Sequence, residues 1–93
     1  MPQENTILVG KKPPMNYVIA CLTAFHEGAE EVLIKARGRS ISTAVDAAEI
    51  VKNKFMSNAV VKEVNISTEE VPLREGGGNK KVSSIAIRLS KKK

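Results

Sequence analysis

The 93-residue chain is poor in rings, thiols and imidazoles. It has no tryptophan, its aromatic residues are Tyr17, Phe25 and Phe55, and Cys21 and His26 each stand alone. A single cysteine excludes an internal disulfide and fits a reducing, intracellular compartment. A single histidine, with no Cys or Asp at ligand spacing, predicts no metal site; His26 reads as a surface residue at a helix end. The longest apolar run is six residues, 17–22, against the roughly 20 a membrane span needs. No charged-then-apolar leader opens the chain, so the expectation is neither secretion nor membrane insertion. Asp46 is the sole aspartate, and with Glu49 it reads as a solvated helix-face pair in reach of Lys52. The G-x-x-x-x-G-K-[ST] phosphate loop is missing, and the prolines after Gly10-Lys11-Lys12 remove amide donors. Nucleophile, base and orienter have almost no raw material here, so the expectation is a non-enzyme with no cofactor. All three rings fall on helices, which leaves the strands without a base-stacking platform.

What is present is charge in an ordered pattern. Apolar residues make up 42% and charged residues 27%, an ordinary globular composition. The length fits one domain over residues 1–93, small enough for dimerisation to help its stability. Fifteen Lys and Arg against ten Asp and Glu give +5. The excess sits at Lys11-Lys12, at Arg37 and Arg39, and in the final stretch containing Arg74, Lys80, Lys81, Arg88 and the closing lysines; the middle is acidic. Segregated basic charge attracts polyanions.

Residues 1–5 read as a frayed end. Thr6-Ile7-Leu8-Val9 predicts a short strand. Pro14 opens and Gly28 closes a helix whose apolar stripe is Met15, Val18, Ile19, Leu22 and Phe25, with Cys21 in its core face. Residues 31–36 predict a strand that is either buried on both faces or central in the sheet. A second helix follows, capped by Ser40 or Ser42, with Ile41, Ala44, Val45, Ala48, Val51 and Phe55 as its stripe. Residues 60–73 and 80–89 predict two long strands around a glycine-rich turn, with Val60, Val64 and Ile66 sharing one face. Residues 68–84 are too polar to bury a two-sided core and form a projecting arm, on the order of 23 Å long. The order is β-α-β-α-β-β.

This order has an electrostatic consequence. Strand–helix–strand crossovers return the chain in one direction, so the first three strands end at a common edge of the sheet. Lys11 and Lys12, Arg37 and Arg39, and Arg74, Lys80 and Lys81 all follow such ends. Helix N-termini add partial positive charge there. Arginine and lysine without interleaved rings suit phosphate contacts on a duplex, which position a protein without reading sequence.

Val9-Gly10-Lys11-Lys12-Pro13, Met15-Asn16-Tyr17-Val18, Ile34-Lys35-Ala36-Arg37-Gly38-Arg39, and Ala44-Val45-Asp46 with Glu49-Ile50-Val51 closely resemble the Alba family of archaeal DNA- and RNA-binding chromatin proteins. The resemblance implies an α/β fold of the α+β two-layer kind. Its mixed four-stranded sheet carries two helices on one face, like the C-terminal domain of translation initiation factor three. It implies a homodimer, and allows a heterodimer with a paralogue, whose body straddles double-stranded DNA while its arms follow the minor groove. Lys11 and Lys12 would touch the phosphate backbone, with Arg37 and Arg39 in support. Lys11 would be the target of an acetylase and deacetylase. Phe55 would join dimer to dimer along DNA, or simply end the core stripe of its helix. Lys80 and Lys81 stand where relatives often carry arginine, a better bidentate donor. The resulting expectation is sequence-independent coating or compaction of DNA by a cytoplasmic, chromosome-associated protein. RNA work, as an RNA chaperone or ribonuclease P-like subunit, is one alternative. A protein-assembly module that binds an acidic partner is the other.

Overall fold

A computed structural model describes residues 5–73 and 75–91. The elements are β1 (Asn5–Leu8), α1 (Pro14–His26), β2 (Glu31–Arg37), a 3₁₀ turn (Gly38–Ser40), α2 (Ile41–Ile50), a π-helical turn (Val51–Phe55), β3 (Ala59–Pro72) and β4 (Asn79–Lys91). The strands form one sheet in the order β1-β2-β4-β3. β1 runs parallel to β2, and β4 runs antiparallel to both β2 and β3. β1, β2 and β3 therefore point the same way, and their C-terminal ends share an edge. The architecture is the expected mixed sheet with two helices on one face.

The core lies between that face and the helices. Val32, Ile34 and Ala36 of β2 and Ile87 and Leu89 of β4 pack against Val18, Cys21 and Phe25 of α1 and Ala44, Ala47, Ala48 and Val51. Three alanines let α2 approach the sheet closely. Burial also pushes the Cys21 thiol up to about 11, because a thiolate would be desolvated there. β2 is central, but it buries only alternate residues: Lys35 and Arg37 are exposed and Glu31 and Leu33 half-buried on the opposite face. Of the two expected readings the central one holds, and burial on both faces does not, because both helices cover the same side.

Helix α1 ends as its sequence suggests. Gly28 adopts a left-handed φ of 108°, and the Gly28 and Ala29 amides donate to the Phe25 and Ala24 carbonyls. This is the Schellman closure that glycine favours. Its buried face is rotated from the expected stripe. Cys21 is buried as expected, and Tyr17 and Ala24 join it with Val18 and Phe25 inside, while Met15 and Ile19 are exposed. In the second helical stripe Val45 and Phe55 also lie outside, at 39% and 53% exposure.

β3 carries a bulge between Val61 and Glu63, and one extra residue inverts the face of everything before it. Val61, Val64 and Ile66 therefore share the helix-side face, opposite Leu89, Ile87 and Ile85, while Val60 pairs with Ser90 and faces away. The expected grouping of Val60 with Val64 and Ile66 is corrected by that bulge. The arm is a paired ladder from Thr68↔Ser83 to Pro72↔Asn79, and it contributes to a long dimension of 50 Å. Asn5, expected to fray, is paired with Val32 at the start of β1.

Candidate nucleic-acid interface

The loop after β1 is held by two side chains from elsewhere. The buried Tyr17 phenol oxygen accepts the Gly10 amide at 2.8 Å and the Lys12 amide at 3.1 Å. The Ser40 hydroxyl donates to the Gly10 carbonyl at 3.2 Å, and the Val9 amide reaches the Lys35 carbonyl at 2.9 Å. The partly buried loop amides exchange water for these partners. Satisfying them fixes the backbone that carries Lys11 and Lys12 and leaves both side chains exposed. The sequence offers Ser40 or Ser42 as the helix cap. Ser40 precedes α2 without a capping hydrogen bond and binds the neighbouring loop instead, while Ser42 lies inside the helix.

Arg37 closes β2 and Arg39 sits in the 3₁₀ turn beside it. Gly38 between them has a φ of +55°, a left-handed turn that strains most residues carrying a Cβ. The Ser40–Gly10 bond ties this turn to the lysine loop. Lys11, Lys12, Arg37 and Arg39 are thus brought to one edge of the sheet, and all four are exposed. Lys35 joins them from the strand face turned away from the helices. The alternation of β2 was the signal that could have added it.

The hairpin cations are placed differently from the expected convergence. Lys80 and Lys81 pair with Val71 and Glu70 on the arm. Arg37 pairs with Ser84, so the strand rise puts Lys81 about 10 Å further out. They stand beyond the cluster because the ladder continues where β2 stops. Glu69 and Glu70 make the arm mixed in charge, and Arg37 Nη1 meets Glu69 Oε1 at 3.5 Å. Arg74 lies outside the described residues, as do Lys92 and Lys93.

Phe55 does not end a core stripe. The π-helical turn carries it to the surface, where it lines a groove with Leu22, Phe25, His26, Met56 and Lys91. Lys91 sits 5.9 Å from the Phe25 ring centre. His26 is exposed on the last turn of α1. Glu49 accepts the Asn53 side-chain amide at 2.9 Å and lies 4.0 Å from Lys52. Among the described residues no three His, Cys, Asp or Glu side chains converge, and no helix is long and apolar enough to cross a membrane.

The fold and the sequence have close counterparts. The family model described as Alba matches residues 5–69. DNA/RNA-binding protein Alba 1 of Archaeoglobus fulgidus is 55% identical over 89 residues, covering 96% of this chain and 98% of the relative. DNA/RNA-binding protein Alba of Methanocella arvoryzae is 53% identical over 91 residues, covering 98% and 94%. The solved structure of Alba from Thermoplasma volcanium superposes with a TM-score of 0.85 at 49% identity, covering 94% of this chain and all of that one. With the family's domain, close relatives along nearly the whole length and the same fold, the chain belongs to the Alba family.

Proposed function

We infer that the protein is a non-enzymatic, sequence-independent binder of double-stranded DNA and of RNA, acting as a dimer through phosphate contacts and coating or compacting the chromosome in the cytoplasm. One observation carries the reading. Lys11, Lys12 and Arg39 stand on a braced edge with no carboxylate within 4 Å among the described residues. Cations left unpaired on a fixed backbone can exchange hydration and counterions for phosphate at little conformational cost. The relatives' printed names, DNA/RNA-binding protein, support the class of ligand.

The dimer reading rests on exposed apolar surface. Val61, Val64 and Ile66 are 40%, 49% and 79% exposed on the helix-side face of β3, which the helices leave uncovered. A second copy would bury this strip, and pairing would double the cations available to one duplex. Phe55, outside that strip, suits a further contact between neighbouring dimers. Acetylation of Lys11 would remove one charge from the braced edge.

Salt titration of binding to a random-sequence duplex tests the proposal. If Lys11, Lys12 and Arg39 of both protomers each neutralise a phosphate, log affinity falls against log salt with a slope of about −5. A slope near zero, or no binding at low salt, rejects it.

A further inference from the structure

The sheet face turned away from the helices is concave at the end next to the braced loop. A groove of about 640 Å³ crosses it from the β1 side to β3, a size that holds small ligands in other proteins. Lys11, Lys35 and Arg37 line it on one side; Asn65, Ser67 and Glu69 line it on the other. Three inter-strand steps make it about 14 Å wide. Ser84, buried in its floor, shares a 2.8 Å hydrogen bond with the Ser67 hydroxyl. The Asn65 side chain has no hydrogen-bond partner among the described residues.

The lining is unusual for a surface that only grips phosphate. Its cations suit a nucleic-acid backbone, but Glu69 stands among them, 3.5 Å from Arg37. A carboxylate repels a phosphodiester and accepts a hydrogen bond from a hydroxyl. Asn65 and Ser67 donate and accept. No ring lines the groove, so stacking, the usual means of holding single strands, is unavailable. What remains is recognition of the sugar. The 2′-hydroxyl, both donor and acceptor, distinguishes RNA from DNA. A groove of this size admits a flexible single strand, whereas a rigid duplex bears on its rim.

We propose that this groove binds single-stranded RNA, with Lys11, Lys35 and Arg37 taking phosphates and Asn65, Ser67 and Glu69 taking 2′-hydroxyls. The inference rests on the nucleic-acid reading above and deepens it: Lys11 belongs to both the braced edge and the groove, whereas Lys35, Arg37, Asn65, Ser67 and Glu69 line the adjoining sheet face. Val61, Val64 and Ile66 occupy the other face of β3, so dimerisation through them leaves the groove open.

The test compares one sequence as single-stranded RNA, single-stranded DNA and duplex DNA, by fluorescence anisotropy on the full chain. The expected result is tighter binding of the RNA strand than the DNA strand, by about fivefold for each net hydrogen bond. In Asn65→Ala/Glu69→Ala, which removes both side chains' donors and acceptors, this ratio falls toward one while duplex affinity does not fall. Lys12 does not line the groove, so Lys12→Glu is expected to do the reverse, weakening duplex binding and keeping the RNA-to-DNA ratio. Both positions of the double variant are at the surface, and an unchanged melting temperature checks its fold. Equal affinity of the parent for the two single strands overturns the inference, as does an unchanged ratio in Asn65→Ala/Glu69→Ala. Either result with intact duplex binding leaves the proposed function standing; loss of duplex binding by the parent at low salt rejects that function instead.

Discussion

The two ends of β2 handle positive charge in opposite ways. At its start, Glu31 takes Lys62 Nζ at 2.6 Å and Arg88 Nη1 at 3.2 Å, while Arg88 Nε reaches Glu63 at 3.4 Å. Both cations there are neutralised by carboxylates. About 20 Å along the strand, Lys11, Lys12, Lys35 and Arg39 have no carboxylate partner among the described residues, and only Arg37 meets one. Counting lysines and arginines cannot tell these ends apart. A bound phosphate must compete with any partner already present, so pairing decides which cluster can serve as an interface.

Reversing charge at each end should break the comparison most sharply. Lys11→Glu/Lys12→Glu is expected to cost duplex affinity about 100-fold at moderate salt, against at most a few-fold for Lys62→Glu; gel shifts on one random duplex measure both. Equal losses would mean that net charge, not its placement, drives binding. Disrupting the apolar strip comes next. Val64→Asp/Ile66→Asp should yield a monomer by analytical ultracentrifugation and roughly halve the salt slope, because one protomer presents only half the unpaired cations.

Tyr17→Phe tests the bracing itself. It deletes the oxygen that accepts two loop amides and is expected to lower stability by about 1–3 kcal/mol. Chemical denaturation measures that loss, and duplex affinity should weaken several-fold while Lys11 and Lys12 remain in place. The smallest effect belongs to the paired end. The hydrogen bond from Lys62, with Arg88 assisting, holds the Glu31 carboxyl below its ordinary range. The folded state therefore gains stability above the unfolded carboxylate's pKa and loses it as pH falls through the lowered value. Glu31→Gln should flatten that part of an acid-unfolding curve and leave duplex binding unchanged.

Much of the unpaired end was legible from order alone. Lys11-Lys12 and Arg37-Gly38-Arg39 each follow a strand, and parallel crossovers bring such ends together. Its bracing was not legible. Tyr17 looked like one more ring on a helix, and Ser40 looked like a cap, because hydrogen bonds across seven and 30 residues leave no local pattern. The paired end was equally hidden. Glu31, Lys62 and Arg88 lie in three different strands, and the bulge at Val61/Glu63 alters which β3 side chains reach that face. Met15, Ile19, Val45 and Phe55 fitted helical stripes yet lie at the surface. Periodicity locates an apolar side of a helix, but the neighbours it meets decide how far round burial extends.

By itself, the amino-acid sequence determined the element order, the shared direction of three strands, the projecting hairpin and the family. Each follows from local periodicity, turn chemistry or a continuous motif. Only the tertiary structure decided which cations stay unpaired, what braces the lysine loop and where apolar strands remain uncovered. Those properties depend on distances between groups remote along the chain, and such distances are set when the helices settle on one face of the sheet.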